Sequence, residues 1–198
     1  MNILFITFGE LSINGRTTRP VSILRALADA GHQICVISAR TDVAEHPYIT
    51  VLAGRASCQA GRWNLCKTLI KATGTRHFDA VHAVDDAVIF SSRICRLRKI
   101  HLIYSAVRCF TGSVGQAPSR HWKWFPEYGQ KVEKNILKQA VSIITPCATL
   151  RADIENLVPA ARTFQIEDVP VQTLFGCREA DRSELLTRFD LETTSMVV

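Results

Sequence analysis

The feature that most restricts how this chain can fold is its rhythm. Short unbroken runs of Ile, Leu, Val and Phe alternate with longer stretches in which apolar residues recur every three to four positions. A run with no polar alternation suits a strand buried on both faces, and the stretches between suit helices that lie over those faces. Parallel neighbours need a crossover connection, which a helix supplies. The alternation therefore predicts an α/β fold: a doubly wound, mostly parallel, Rossmann-like sheet with right-handed crossovers. Ligands of such sheets collect where the strands end and the helices begin.

The chain opens with a predicted strand over Asn2 to Phe8, and a helix follows from Thr18 to Ala30. Val21, Leu24 and Ala28 form the helix stripe, Thr18 can cap its start, Pro20 suits its first turn and Gly31 ends it. Strands are expected over Gln33 to Ser38, Tyr48 to Leu52, Asp79 to Val84, Ile100 to Val107, Val141 to Thr145 and Thr163 to Ile166. Ala53 to Gly61 reads as a loop. Helices are expected over Arg62 to Thr73, from Asp85-Asp86 onward, over Glu127 to Ala140 and over Ala148 to Leu157. No internal repeat interrupts this order.

The first candidate site is the turn between the first strand and first helix, from Phe8 to Arg16. Gly9 and Gly15 have no side chain to keep a ligand from the main chain, and Asn14-Gly15 permits a tight turn. Those residues equally suit a turn with no ligand, so both readings stand. His82 is open between a hydrogen-bonded core residue and a ligand contact. Asp85 and Asp86 favour helix capping over catalysis, since carboxylates suit the positive end of a helix, and Asp85 is also a candidate substrate contact. Arg108, just past a strand, is placed to meet an acceptor or a phosphate.

Composition removes several classes. The chain has 198 residues and a formal net charge of +6, which favours anionic partners. Its seven cysteines are scattered, never in a C-x-x-C pair, and read as small buried hydrophobes in a reducing compartment. Its six histidines are dispersed, so no metal site is expected. No apolar run is long enough to span a bilayer, and Met1 leads directly into a strand. These features suggest a cytoplasmic protein, free or resting on the inner face of the membrane. Basic residues spread over several helices, with no recognised module, speak against nucleic acid. The first turn lacks G-x-G-x-x-G, and Ser38-Ala39-Arg40 stands where an acidic ribose ligand would end the second strand, which disfavours a stand-alone dinucleotide domain.

The opening Asn2-Ile3-Leu4-Phe5-Ile6, the Asn14-Gly15 turn, the helix end Leu27-Ala28-Asp29-Ala30-Gly31-His32 and the strand Ile34-Cys35-Val36-Ile37 resemble the start of family 4 glycosyltransferases of the GT-B fold. Phe78-Asp79-Ala80-Val81-His82-Ala83-Val84-Asp85 resembles that family's fourth strand, and Glu133 to Thr145 its following helix and strand. Ile166 to Phe175, with Leu185-Leu186 and Phe189, resembles the passage between its two domains. The resemblance implies that residues 1–170 form the acceptor-side half of a two-domain enzyme. Residues 171–198 would then form the interdomain connection and the first strand of a missing donor-binding domain, leaving the fragment inactive alone. It further implies a nucleotide-sugar donor as substrate rather than a cofactor, and a glycan, lipid-linked or small-molecule acceptor. Asn14, Gly15 and Arg16 would offer main-chain N–H groups and charge to the donor phosphates. Val84 departs from the family where a second histidine is common, Val107-Arg108 departs after the next strand, and Cys147 stands at a serine-like position.

An alternative reading is a membrane-associated or non-catalytic binding domain. Arg62 to Arg76 and Arg120 to Phe125 mix cations with aromatic rings, as segments that rest on anionic lipid do. An ordinary solvated helix face, with one tryptophan turned into the core, accounts for the same pattern.

Overall fold

The computed structural model describes residues 1–11, 19–41, 46–55, 61–108 and 126–167. Its elements follow the expected alternation: β1 (Asn2–Thr7), β2 (Glu10–Leu11), α1 (Arg19–Asp29), β3 (Gln33–Thr41), β4 (Ile49–Arg55), α2 (Arg62–Thr75), β5 (Ala80–Val84), α3 (Ala87–Arg98), β6 (His101–Ser105), α4 (Pro126–Gln139), β7 (Ser142–Thr145), α5 (Ala148–Leu157) and β8 (Thr163–Gln165). Every strand pairing is parallel. One sheet results, an open Rossmann-like sheet in which β1 lies between β3 and β5, β4 pairs with β3, and β6, β7 and β8 extend the other edge.

Three local departures from the sequence reading have physical causes. The first strand stops at Thr7 rather than Phe8, because the Gly9 N–H turns back to the Thr7 hydroxyl at 3.1 Å. The chain then rejoins the ladder as β2, with Glu10 beside Arg40 and Leu11 beside Thr41. The strand expected to end at Leu52 runs on to Arg55, which shortens the predicted loop, because β3 extends to Thr41 and offers a partner. In α2 the buried stripe is Leu65, Cys66, Leu69, Ala72 and Thr73, so Trp63 and Ile70 stand in solvent at 69% and 58% exposure.

The close of α1 follows the expectation. Gly31 adopts φ +81°, its N–H donates to Ala28 O at 2.9 Å, and the His32 N–H donates to Leu27 O at 3.1 Å. That pair of bonds satisfies carbonyls the helix leaves without partners, and the left-handed residue it needs is cheapest as glycine.

Residue alternation along the strands splits the core in two. Leu4, Ile6, Ile37, Val81, Ala83, Leu102 and Tyr104 pack on the face covered by α2, α3, α4 and α5. Phe5, Ile34, Val36 and Val84 pack against Val21, Leu24 and Ala28 of α1 on the other. Among the described helices α1 alone covers that second face. Beside it, His82, Ile103 and Ile144 floor an apolar trough of about 410 Å³. The helix arrangement follows from handedness: the chain winds one way from β1 to β3 and the other way from β5 to β8, so right-handed crossovers fall on opposite faces. The winding reverses at β1 and β5, and the crevice of this sheet opens at their carboxyl ends.

Buried cysteines conform to the reading only in part. Cys66 and Cys95 are buried, and burial pushes the Cys95 thiol up to about 12. Cys147 is exposed instead, because it stands just ahead of α5, where the chain surfaces between strand and helix.

Candidate site at the strand ends

The crevice at the ends of β1 and β5 is a pocket of about 450 Å³, within the range of small-ligand sites. The turn Phe8-Gly9 forms one wall, the start of α1 another, and Asp85-Asp86 with Val107-Arg108 the far side. Gly9 lies in the wall. A methyl group built on it would sit 3.5 Å from the Thr7 hydroxyl, an ordinary contact, so its placement rather than crowding makes it a candidate.

Asp85 and Asp86 connect β5 to α3. Asp85 has φ +49°, uncommon outside glycine and tolerated by a short polar side chain. Its N–H donates to Ser105 O at 3.0 Å, and its carbonyl accepts from Val88 N at 3.1 Å. The Asp86 carboxylate does not cap as expected. Asp86 is the residue ahead of α3, yet its backbone is already helical and its side chain makes no capping hydrogen bond. Both carboxylates instead face cations. Arg108 Nη2 lies 3.6 Å from Asp85 Oδ2 and 3.9 Å from Asp86 Oδ2, and Arg62 Nη2 lies 3.6 Å from Asp86 Oδ2. Burial, followed by the negative charge of Asp86, raises the Asp85 pKa, against the opposing pull of Arg108. Asp85 Oδ1 is buried with no hydrogen-bond partner among the described residues.

A third guanidinium, that of Arg19, enters from the first residue of α1. It is buried at 3% exposure, and its Nη2 donates to Ala106 O at 3.5 Å. A cation at the start of a helix is opposed by the helix dipole, and an anion placed there is favoured by both. The pocket therefore lines Arg19, Arg62 and Arg108 against Glu10, Asp85 and Asp86, which offers cations to a negative group and carboxylates able to accept from a hydroxyl. Arg62 also lies over the Phe8 ring, 5.7 Å from its centroid, and Phe8 meets Phe90 edge-on at 5.8 Å.

Of the residues singled out from the sequence, Gly9, Asp85 and Arg108 come together here. Asn14, Gly15 and Arg16 lie outside the described residues, as do Arg120 to Phe125 and residues 171–198. His82 is kept apart. It points to the α1 face of the sheet at 1% exposure, with Nε2 2.7 Å from Ser105 Oγ and its ring 4.7 Å from Phe5. Burial, aided by the charge of Arg19, lowers its pKa to about 4, so it is neutral. Its core reading is the one its surroundings fit. Sequence reasoning missed Arg19 and the part played by Arg62. The available signal was position: each is the first residue of a helix that follows a strand, and those positions ring the carboxyl edge. Among the described residues no group of three or more His, Cys, Asp or Glu side chains is placed to hold a metal ion.

The shape of this half-site can be compared with known structures. Sucrose-phosphate synthase from Thermosynechococcus elongatus superposes with a TM-score of 0.59 at 17% identity, over 93% of this chain and 52% of that one. HepE from Anabaena, in complex with UDP, superposes with a TM-score of 0.52 at 13% identity, over 96% of this chain and 50% of that one. Both neighbours are GT-B glycosyltransferases. The chain has the fold of a GT-B N-terminal half. A portion of the same synthase matches at a TM-score of 0.56 and 15% identity, over 96% of this chain and 99% of that portion. This GT-B half spans about half the length of the two full proteins it resembles. No protein-family model and no curated protein sequence matches it. At such identities the likeness establishes the fold, and function has to be argued from the site.

Proposed function

We propose that this chain is the acceptor-side half of a family 4-like glycosyltransferase that moves a sugar from a nucleotide-sugar donor to a glycan, lipid-linked or small-molecule acceptor. The observation that carries the reading is the meeting of Arg19, Arg62 and Arg108 with Asp85 and Asp86 at the switch point of a GT-B half. A neighbour of the same fold holding UDP supports a nucleotide diphosphate as the anionic ligand.

The chemistry fits the two kinds of charge. As the bond from the anomeric carbon to the diphosphate oxygen lengthens, negative charge grows on the departing phosphate. Guanidinium groups ringing the crevice, that of Arg19 buried, stabilise that charge. The acceptor oxygen forms the new bond to the same carbon and gives up its proton. Asp85, with a raised pKa and a buried oxygen without a partner among the described residues, is the carboxylate best matched to receive it. Gly9 allows the acceptor to approach the main chain, and Asn14, Gly15 and Arg16, later in the same connection to α1, are assigned in this reading to the donor phosphates.

Calorimetry with UDP, UDP-glucose and sugar acceptors tests the reading. The chain should bind a diphosphate-bearing ligand weakly, and Arg108→Ala should weaken that binding about tenfold, the loss of one charge-assisted contact. These 198 residues, which span about half the length of the matched glycosyltransferases, should leave a labelled nucleotide sugar uncleaved on their own. UDP affinity unchanged by Arg108→Ala would remove the phosphate role, and turnover by this chain alone would overturn the division of labour.

A further inference from the structure

The α2 and α3 helices lie side by side on one face of the sheet, and Arg98 comes within 3.5 Å of where a side chain on Gly74 would begin. Neither helix contains an aspartate or glutamate. Together they carry six cations, Arg62, Lys67 and Lys71 on α2 and Arg93, Arg96 and Arg98 on α3. They also hold four of the large apolar side chains that the protein leaves in solvent: Trp63 at 69% exposure, Ile70 at 58%, Phe90 at 45% and Leu97 at 81%.

Helical spacing organises these residues. Trp63, Lys67 and Ile70 follow one another at intervals of four and three and so share the outer face of α2, and Phe90 and Leu97, seven apart, share one face of α3. The Lys67 ammonium sits over the Trp63 ring, 5.7 Å from its centroid. An exposed apolar stripe costs solubility and is normally hidden. Here the charged residues within the two helices are all positive, and the nearest carboxylates, Asp85 and Asp86, stand at the start of α3 beside Arg62.

We propose that the outer face of α2 and α3 docks this protein on an anionic lipid bilayer, with Trp63, Ile70 and Leu97 entering the headgroup boundary and the lysines and arginines meeting lipid phosphates. Interfacial helices have this build: an apolar face that sinks several ångströms and a basic border drawn to negative lipid. Charge complementarity excludes a zwitterionic surface as the preferred one. The aliphatic Ile70 and Leu97 argue against nucleic acid, which offers stacking to aromatic rings and nothing comparable to a branched aliphatic chain. The proposal does not depend on sugar transfer, although Arg62 belongs to both surfaces and would hold the crevice mouth close to the lipid.

Co-sedimentation with vesicles of phosphatidylglycerol and phosphatidylcholine, against phosphatidylcholine alone, tests it. The protein should partition at least tenfold better into the anionic vesicles at low salt, and high salt should remove most of the difference. A Lys67→Glu, Lys71→Glu double variant should lose at least tenfold of that partition. A Trp63→Ser, Leu97→Ser variant should lose it as well while keeping the salt dependence. All four side chains lie outside the crevice, so circular dichroism and UDP calorimetry of the variants should match the parent and report an intact fold. Equal partition into both vesicle types overturns the proposal. So does anionic binding that Trp63→Ser, Leu97→Ser leaves unchanged while heparin competes fully, since that is adhesion to any polyanion.

Discussion

His82 makes acid a specific probe of this fold. The ring is buried on the α1 face of the sheet, at the floor of the apolar trough, with one nitrogen on Ser105 and Arg19 close enough to repel a second positive charge. The folded protein therefore protonates it only near pH 4, whereas the unfolded chain does so near 6.5. As the pH falls below about 6.5 the unfolded chain takes up a proton that the folded one refuses, and stability declines. The decline continues until the folded pKa is reached, and below it the contribution is fully lost. At about 1.4 kcal/mol per pH unit, the interval from 6.5 to about 4 is worth about 3 kcal/mol. A typical domain has about 5–15 kcal/mol in total.

Other groups move in the same experiment. Asp79 is lowered chiefly by the Asn2 N–H and Glu155 chiefly by the Thr163 hydroxyl, and both withdraw stability as pH falls through the carboxylate range. Asp85, raised by burial, acts with the opposite sign: its folded form prefers the proton, so acid relieves it. A His82→Gln variant cancels these shared terms. Urea unfolding of parent and variant at about pH 7, 6, 5 and 4 should show the parent losing about 3 kcal/mol more than the variant across the series. Two curves that run parallel from pH 7 to 4 would show that burial does not hold the ring neutral, and the reasoning would fail.

Gly31→Ala should cost about 1 kcal/mol in the same urea assay, since a methyl group there meets no atom within 4 Å yet forces an L residue into φ +81°. Gly61→Ala, with equal space but φ −66°, should be close to neutral, and equal losses at both positions would refute the backbone argument. Leu69→Ala, which removes a side chain with no exposed surface, should cost about 2–5 kcal/mol, whereas Ile70→Ala next to it should change the unfolding midpoint little. Maleimide labelling of the folded protein followed by peptide mapping should modify Cys147 and spare Cys95, and rapid labelling of Cys95 would contradict its burial.

Much of this architecture could be read from local pattern. The helix Ala148–Leu157 falls where its spacing and the following Pro159 put it, and the strand β5 where Asp79 to Val84 placed it within a residue. Gly31 announces the end of α1 because a left-handed residue is a local, one-position requirement. The core histidine was harder. Alternation puts His82 on the same face as Val84 and opposite Val81 and Ala83, but only packing shows that Ser105 and Phe5 seal that face.

The amino-acid sequence by itself determined the strand–helix order and the parallel sheet, and pointed to the carboxyl edge as the place to look for a ligand, because periodicity and crossover handedness act over short stretches of chain. Only the tertiary structure decided which charges meet. Arg19, Arg62, Asp85, Asp86 and Arg108 are separated by up to nearly ninety positions and converge because four strand–helix connections open on the same edge of the sheet. It also turned Asp86 from a helix cap into a partner of arginine, set Asp85 against Arg108, and left Trp63 and Ile70 outside. A helix carries its apolar periodicity in its own residues. Which of two neighbouring stripes is buried depends on the sheet beneath it, and that no local pattern contains.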